Sequence, residues 1–210
     1  MSVSPRRALA VIDVQNEYVT GNLLIEYPPV ESSLANIGRA MDAAKAAGIP
    51  VIVIQHDSPP DAPLFAHGSA YWELHPVVAD RSADHRINKR KASIFTGTDL
   101  SPWLEDHNID TLTIVGYMTH NCDASSINHA HHNGLAVEFL SDATGSLPYR
   151  NAAGEASAEE IHRVFSTVFH SNFAAVATTD AWIDAVADGK DLPIDNVHLS
   201  HQRALETVSA

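Results

Sequence analysis

Cysteine is nearly absent from this 210-residue chain, in which Cys122 stands alone. An intrachain disulfide therefore cannot form, and a zinc module built from several cysteines is excluded. Basic residues are also scarce, because 13 Lys and Arg face 26 Asp and Glu and leave a formal net charge of −13. A protein of this charge repels a nucleic-acid backbone, so we expect no nucleic-acid partner.

Long apolar runs and phosphate-binding motifs are missing as well. No stretch approaches the roughly 20 apolar residues that a membrane-spanning helix needs. The segment 1–7 carries two arginines, but Asp13 interrupts the apolar run that follows. We therefore expect no secretory signal, no membrane partner and a cytoplasmic location. The loops GxGxxG and GxxxxGK[ST] and the serine-hydrolase elbow GxSxG are absent too, so no motif supports a nucleotide cofactor.

Apolar residues make up 45% of the chain, which is ordinary for one globular domain of this length. Short β-branched runs alternate with segments of helical spacing, as in α/β proteins. We predict strands over 8–14, 51–54, 86–88, 111–115, 136–140 and 174–178, and helices over 30–44, 101–104, 120–133, 157–168 and 181–187. The fold class is therefore α/β, a doubly wound, mainly parallel six-stranded sheet with helices on both faces, in a Rossmann-like three-layer sandwich.

Two segments stand outside this alternation. Residues 55–84 form a long, proline-rich irregular segment, and loops of this length tend to be functional. We interpret it as a lid or pocket wall, with a purely structural excursion as the alternative. We place the domain at 1–180, and a C-terminal helix with a polar tail at 181–210 belongs to the same domain or forms an arm on another subunit.

The helix over 157–168 has a clear start signal. Ser157 and Glu160 have the spacing of a capping box. Its apolar residues share one face at helical spacing: Ile161, Val164, Phe165 and Val168.

Three reactive side chains fall at or near the carboxyl ends of predicted strands, where ligands gather in such sheets. Asp13 lies in an apolar run, where an unpaired carboxylate would cost several kcal/mol; a structural acid bound to backbone amides is the alternative. Lys89 belongs to a basic run that by charge alone indicates a solvated turn. Cys122 begins a helix after a turn at Gly116, where amide dipoles lower the pKa of a thiol. An inert buried cysteine is the competing interpretation.

The three side chains lie in ordered motifs. Residues 11–16 read VIDVQN, residues 89–95 read KRKASIF, residues 116–122 read GYMTHNC, and Asp142-Ala-Thr144 follows the next predicted strand. On the patterns D-x-Q, K-x-x-x-S-x-F and G-x-x-T-x-x-C, the chain resembles the isochorismatase-like cysteine hydrolase superfamily over about residues 8–179. This superfamily includes nicotinamidases, carbamoyl-amide hydrolases and isochorismatases.

The resemblance implies a catalytic triad of Asp13, Lys89 and Cys122, in which the lysine motif selects position 89 over 91. It also implies an oxyanion hole from the backbone N–H groups of Met118 and Cys122, beside a non-proline cis peptide bond between Tyr117 and Met118. In that chemistry the thiolate attacks an amide-like carbonyl carbon, the aspartate carries the proton to the leaving amine, and water hydrolyses the thioester.

We therefore predict a cysteine hydrolase that cleaves a non-peptide C–N bond of a small amide or carbamoyl-type substrate without a cofactor. One alternative is an isochorismatase-type vinyl-ether hydrolase that uses Asp13 as general acid, although the retained Cys122 favours amide hydrolysis. The other is a catalytically silent binding protein on the same fold, against which the intact triad argues. The resemblance further implies a homodimer or homotetramer.

The chain departs from the family pattern at two places. Nicotinamidases carry an Asp-x-His metal motif after the second strand, where residues 55–58 here read QHDS. We therefore predict no metal and keep His56, His67 and His75 as weak candidates; the spacing of 129, 131 and 132 does not converge on one helix face. Asp123 stands where the family usually has valine, and we expect its side chain to point away from the thiol.

Placement near strand ends or in the long segment also suggests a substrate pocket. For several of these residues ordinary packing is the alternative. The predicted pocket residues are Gln15, Tyr18, Phe65, Trp72, His120, Tyr149 and Phe173.

Overall fold

Six parallel strands form the central sheet of the computed structural model, which describes residues 4–208. The strands are β1 (Arg7–Ile12), β2 (Val51–His56), β3 (His85–Lys89), β4 (Thr111–Tyr117), β5 (Ala136–Gly145), β6 (Tyr149–Asn151), β7 (Gly154–Ala156) and β8 (Ala175–Ala177). The sheet has the order β3-β2-β1-β4-β5-β8, and β6 and β7 form a separate antiparallel hairpin. The predicted fold class is confirmed.

Helices cover both faces of the sheet. They are α1 (Val30–Ala46), α2 (Pro76–Ala79), α3 (Leu100–Asp106), α4 (Ala124–His132), α5 (Ala158–Val168), α6 (Thr179–Asp188) and α7 (Val197–Val208). Successive side chains of β1 enter opposite cores: Leu9 and Val11 pack with α1 and α6, whereas Ala8, Ala10 and Ile12 pack with α3 and α4. Because β1 is buried on both faces, its sequence is continuously apolar.

Several element ends differ from the predictions, and these differences position the site. The first strand ends at Ile12, because Asp13 has a φ of 50° and leaves the extended conformation. The third strand extends to Lys89, so that the lysine is its last residue. The predicted helix over 120–133 begins as a π-helical turn, Thr119–Asp123, before α4.

The irregular segment and the tail contain more regular structure than predicted. Residues 55 and 56 complete β2, and α2 lies inside the segment that we predicted to be irregular. The polar tail contains a second helix, α7, which the sequence analysis did not predict. Trp182 of α6 is fully buried in the core beside α1, while the division of the chain at 180/181 stays a prediction.

The capping box of Ser157 and Glu160 is present at the start of α5. The helix packs on the protein through Ala158 and His162, which are buried. Val164 and Val168 of its apolar face remain 47% and 48% exposed. The apolar face predicted from the spacing is therefore only partly covered by other residues of the described chain.

No helix within residues 4–208 is long and apolar enough to span a membrane. The prediction about the leader segment falls partly on residues 1–3, and the predicted tail ends at 209–210. Both of these ends lie outside the described residues.

Candidate active site

The three reactive side chains meet at the carboxyl edge of the sheet. Asp13 directly follows β1, Lys89 ends β3, and Cys122 lies in the turn after β4. The Lys89 Nζ is 2.7 Å from Asp13 Oδ2 and 3.2 Å from the Cys122 Sγ. All three residues are buried. The strand order reverses direction between β1 and β4, and such a switch point is where ligands bind in open α/β sheets.

A close approach of two backbones brings Cys122 near Asp13. Gly116 in β4 has a φ of 113°, and a Cβ built there would lie 2.1 Å from the carbonyl oxygen of Ile12. Only glycine fits such a contact at positive φ. The Asp13 N–H donates to the Ile54 carbonyl at 2.9 Å, which holds the turn after β1 against β2.

Gln15 is fully buried and joins this turn to the end of β2 and to the long segment. Its Nε2 donates to the carbonyls of His56 (3.0 Å) and Trp72 (2.7 Å), and its Oε1 accepts from the His56 N–H at 2.9 Å. The structure therefore gives Gln15 an organising position behind the site, and it does not line the cavity described below.

The Lys89 ammonium is held as a cation by its neighbours. Burial lowers its pKa, but the adjacent Asp13 and Cys122 more than reverse this effect, and the pKa is raised overall. Burial lowers the pKa of His56, whose Nδ1 lies 3.3 Å from the Lys89 Nζ. Since an ammonium only donates, this nitrogen accepts and the imidazole is neutral.

The thiol of Cys122 is neutral at rest. Burial raises its pKa most, Asp13 raises it further, and Lys89 only partly opposes them. The prediction that the start of the helix lowers the pKa of this thiol is therefore wrong. The cost of removing a thiolate from water, together with the charge of Asp13, exceeds what the lysine supplies.

Asp123 also lies inside the protein. It is fully buried, and its carboxyl oxygens have no hydrogen-bond partner among residues 4–208. Burial, followed by the charge of Asp13, raises the pKa of Asp123 well above its usual value, whereas Lys89 lowers it. The side chain is thus directed into the core and not into solvent, and the expectation that it points away from the thiol stays a prediction.

A cavity of about 450 Å³ opens onto the thiol. Of the predicted pocket residues, Tyr18, Phe65 and Tyr149 line it, and the rings of Tyr18 and Phe65 pack at 5.3 Å. The full lining is Tyr18, Leu23, His56, Ser58, Ala62, Pro63, Leu64, Phe65, Met118, Asn121, Cys122 and Tyr149. The first part of the long segment thus forms one wall.

Other predicted pocket residues lie outside this lining. His120 lies behind Tyr149, with ring centroids 4.9 Å apart, and its Nδ1 is 3.1 Å from the Ser146 Oγ. Burial, with a smaller effect of His162, lowers the pKa of His120 to about 4. Trp72 packs its ring against His67 at 4.6 Å. His120 therefore supports the cavity wall from behind, and Trp72 does not belong to the lining.

Phe173 lies at the opposite edge of the sheet. It packs against His131 and His132 and lines a cavity with Thr111 and Ala136, the residues that begin β4 and β5. The irregular turn that carries Phe173 precedes β8 and therefore delivers it to the amino ends of the strands. Its predicted place in the substrate pocket is wrong.

Within the described chain, no group of three or more His, Cys, Asp or Glu side chains could hold a metal ion. Each candidate histidine has another partner. His56 contacts Lys89, His67 Nδ1 lies 2.6 Å from Asp57, and His75 accepts a backbone N–H in the first turn of α2.

Sequence reasoning missed part of the cavity wall. Asn121 lies beside the thiol, and its place directly before Cys122 in the sequence was an available signal. Ser58 follows the end of β2 and had the same kind of signal. Leu23 and Leu64 carry no motif. The peptide bond between Tyr117 and Met118 is cis, as the resemblance implied.

Comparisons with known proteins agree with this architecture. The isochorismatase domain family matches residues 7–181. A crystal structure provisionally named an isochorismatase, from Burkholderia xenovorans LB400, is 64% identical, with a TM-score of 0.98 over 99% of this chain and 100% of that chain. The secreted isochorismatase effector Isc1 of Verticillium dahliae is 30% identical over 167 residues, 78% of this chain and 87% of its own length. The ureidoacrylate amidohydrolase RutB of Methylobacterium radiotolerans is 26% identical over 212 residues, which cover 85% of this chain and 76% of that protein.

Proposed function

Because the chain belongs to the isochorismatase family, whose members are hydrolases and include amidohydrolases, we propose that it is a cysteine hydrolase of small amides or carbamoyl compounds. The observation that carries this proposal is the buried lysine that contacts both a carboxylate and the thiol, at 2.7 and 3.2 Å. An ion pair with a purely structural role would not need, as a third partner, a thiol that faces a cavity.

The first step is a proton transfer within the triad. A neutral thiol, a carboxylate and an ammonium carry no net charge, and moving the proton from the Cys122 Sγ to Asp13 leaves that sum unchanged. A net charge in a buried site is unfavourable, and this internal transfer creates none. Lys89 contacts both groups and stabilises the negative charge on whichever of them holds it.

The thiolate then attacks the carbonyl carbon of the amide. A C–S bond forms, the carbonyl π electrons move to oxygen, and the N–H groups of Met118 and Cys122 donate to the oxyanion. The C–N bond breaks as the amine takes the proton from Asp13, which leaves a thioester. Water attacks the thioester with Asp13 again as base, and the carboxylic acid and the thiol are released.

Substitution of the nucleophile tests this proposal. We expect Cys122→Ala to lower ammonia release from an active amide by more than about 10³-fold, with an unchanged circular dichroism spectrum. Wild-type protein mixed with that amide and quenched in acid should show an added mass equal to the amide minus ammonia. Lys91→Met, whose exposed side chain belongs to the same motif, is the matched control for Lys89→Met.

The results separate the competing functions. Full turnover by Cys122→Ala would refute the thioester route. Turnover that survives in Cys122→Ala and is lost in Asp13→Asn would indicate the vinyl-ether hydrolase. Absence of both turnover and adduct across a broad amide panel would favour a silent binding protein.

Two further properties belong to the proposal. We expect a homodimer or homotetramer, supported by the half-exposed Val164 and Val168 on α5, and light scattering on a size-exclusion column measures it. We also expect a cytoplasmic location with no nucleic-acid or membrane partner, which cell fractionation tests. The Verticillium relative, by contrast, is named as secreted.

A further inference from the structure

The cavity above the thiol is walled by uncharged groups. Leu23, Leu64, Phe65 and Met118 give it apolar surface, and its polar groups are hydroxyl, amide and imidazole side chains. Within residues 4–208, no Arg, Lys, Asp or Glu belongs to this wall. The charged triad members lie beneath it with almost no exposure.

Three cations of the surrounding elements already have carboxylate partners. Lys89 is bound to Asp13 at 2.7 Å, and Arg90 lies 3.4 Å from Asp57. On the hairpin that carries Tyr149, Arg150 lies 2.9 Å from Glu155. A carboxylate that entered the cavity would have to compete with Asp13, Asp57 or Glu155 for any of these three cations.

The remaining basic group of the wall does not supply a charge. His56 is neutral because burial lowers its pKa. The groups facing it are Lys89, Asp13 and Asp57, and the first two already neutralise each other. The chain as a whole carries a formal charge of −13, which lowers the local concentration of anions around the site.

We propose that the substrate is an uncharged small amide whose acyl group has an apolar or aromatic face, and that amides bearing a second, charged group are excluded. The inference rests on the proposed amide hydrolysis and specifies its substrate class. The rings of Tyr18, Phe65 and Tyr149 offer flat surfaces to the acyl group, and Ser58 and Asn121 offer neutral hydrogen-bonding groups. The cavity of about 450 Å³ accommodates a ring-sized acyl group.

Matched amides test this proposal on the wild-type protein. The aromatic series is benzamide, 4-carboxybenzamide and 4-(aminomethyl)benzamide, and the aliphatic series is hexanamide and 5-carboxypentanamide. We expect kcat/KM for the uncharged member to exceed that for the carboxylate by at least about 100-fold, since an unpaired buried charge is costly. A charged member that is hydrolysed as fast as its uncharged counterpart, in either series, overturns the proposal.

A wall substitution provides the reciprocal test. Leu64→Lys places an ammonium in the wall and should raise kcat/KM for the carboxylate amides by about 10-fold or more, whereas Leu64→Met should not. Ser58→Lys is the second variant if the first unfolds, and an unchanged circular dichroism spectrum verifies the fold of each. Carboxylate turnover that does not increase in the folded variants contradicts the proposal.

Failure of amide hydrolysis and failure of the uncharged substrate class give different results. If no amide in the panel releases ammonia or acylates Cys122, amide hydrolysis itself fails, and this substrate class fails with it. If carboxylate amides are preferred and Cys122→Ala is inactive, amide hydrolysis stands and only the uncharged class is refuted.

Discussion

A buried, unpartnered carboxyl beside the nucleophile makes the stability of this protein depend on pH. Asp123 is fully buried, its oxygens have no partner among the described residues, and burial followed by Asp13 raises its pKa well above the usual value. We predict that Asp123→Asn removes this dependence. The asparagine has almost the same shape, and its own burial cost is the same at every pH.

The size of the effect follows from proton linkage. In the unfolded chain the carboxyl has a pKa of about 3.9 and is ionised above about pH 5. In the folded protein it keeps its proton, so rising pH stabilises only the unfolded chain. The free energy of unfolding therefore falls by about 1.4 kcal/mol per pH unit until the folded pKa is reached.

Urea unfolding of both proteins at pH 5, 6 and 7, at one ionic strength, measures the effect. The other ionisable groups are common to both chains, so the difference between the two curves isolates position 123. The variant should gain stability relative to the wild type as the pH rises from 5, by about 1.4 kcal/mol per pH unit for as long as the folded carboxyl keeps its proton. A difference that stays constant within about 0.5 kcal/mol over this range would refute a protonated Asp123 in the folded state.

Three other substitutions test the architecture around the site. Lys89→Met leaves its partner carboxylate as an uncompensated buried charge, so we expect a loss of about 3–5 kcal/mol in urea unfolding at pH 7; a loss below 1 kcal/mol would contradict a charged pair. Gly116→Ala forces a Cβ into the backbone of β1 at positive φ. We expect it to cost more than about 3 kcal/mol, or to prevent accumulation of folded protein, and a Tm close to wild type would refute the close approach. Arg7→Met breaks a buried ion pair with Glu138 at 2.8 Å and should also cost about 3–5 kcal/mol, while Arg150→Met on the exposed hairpin serves as its control.

The strands and the triad were accessible to prediction because their signals are local. Apolar, β-branched runs of the right length mark buried parallel strands, and a reactive side chain at the end of each run identifies the edge where they meet. Asp13 and Cys122 were candidates on this ground, whereas Lys89 and the triad itself were implied by the family resemblance of the motifs. The ends of the elements were less accessible, because the positive φ of Asp13 and the π-helical turn before α4 depend on contacts with other strands.

The state of the site depends on distant contacts that no local pattern contains. Lys89 and Cys122 are 33 positions apart in the chain, yet their side chains touch. The position of Cys122 at the start of a helix indicated a thiol of low pKa. Burial reverses this expectation, because the cost of desolvating a charge depends on everything packed around it.

The amino-acid sequence by itself determined the doubly wound fold. It also determined which strands carry a reactive side chain at or near their carboxyl ends, and the chemical type of those three side chains. Tertiary structure alone decided which side chains wall the cavity, which cations are already paired and which carboxyl stays neutral. Phe173, for example, is an aromatic residue of the kind that lines pockets, but it lies at the amino ends of the strands, away from the thiol. The physical reason is that residue type and periodicity are properties of neighbouring positions, whereas solvation and charge pairing are set by atoms that only folding brings together.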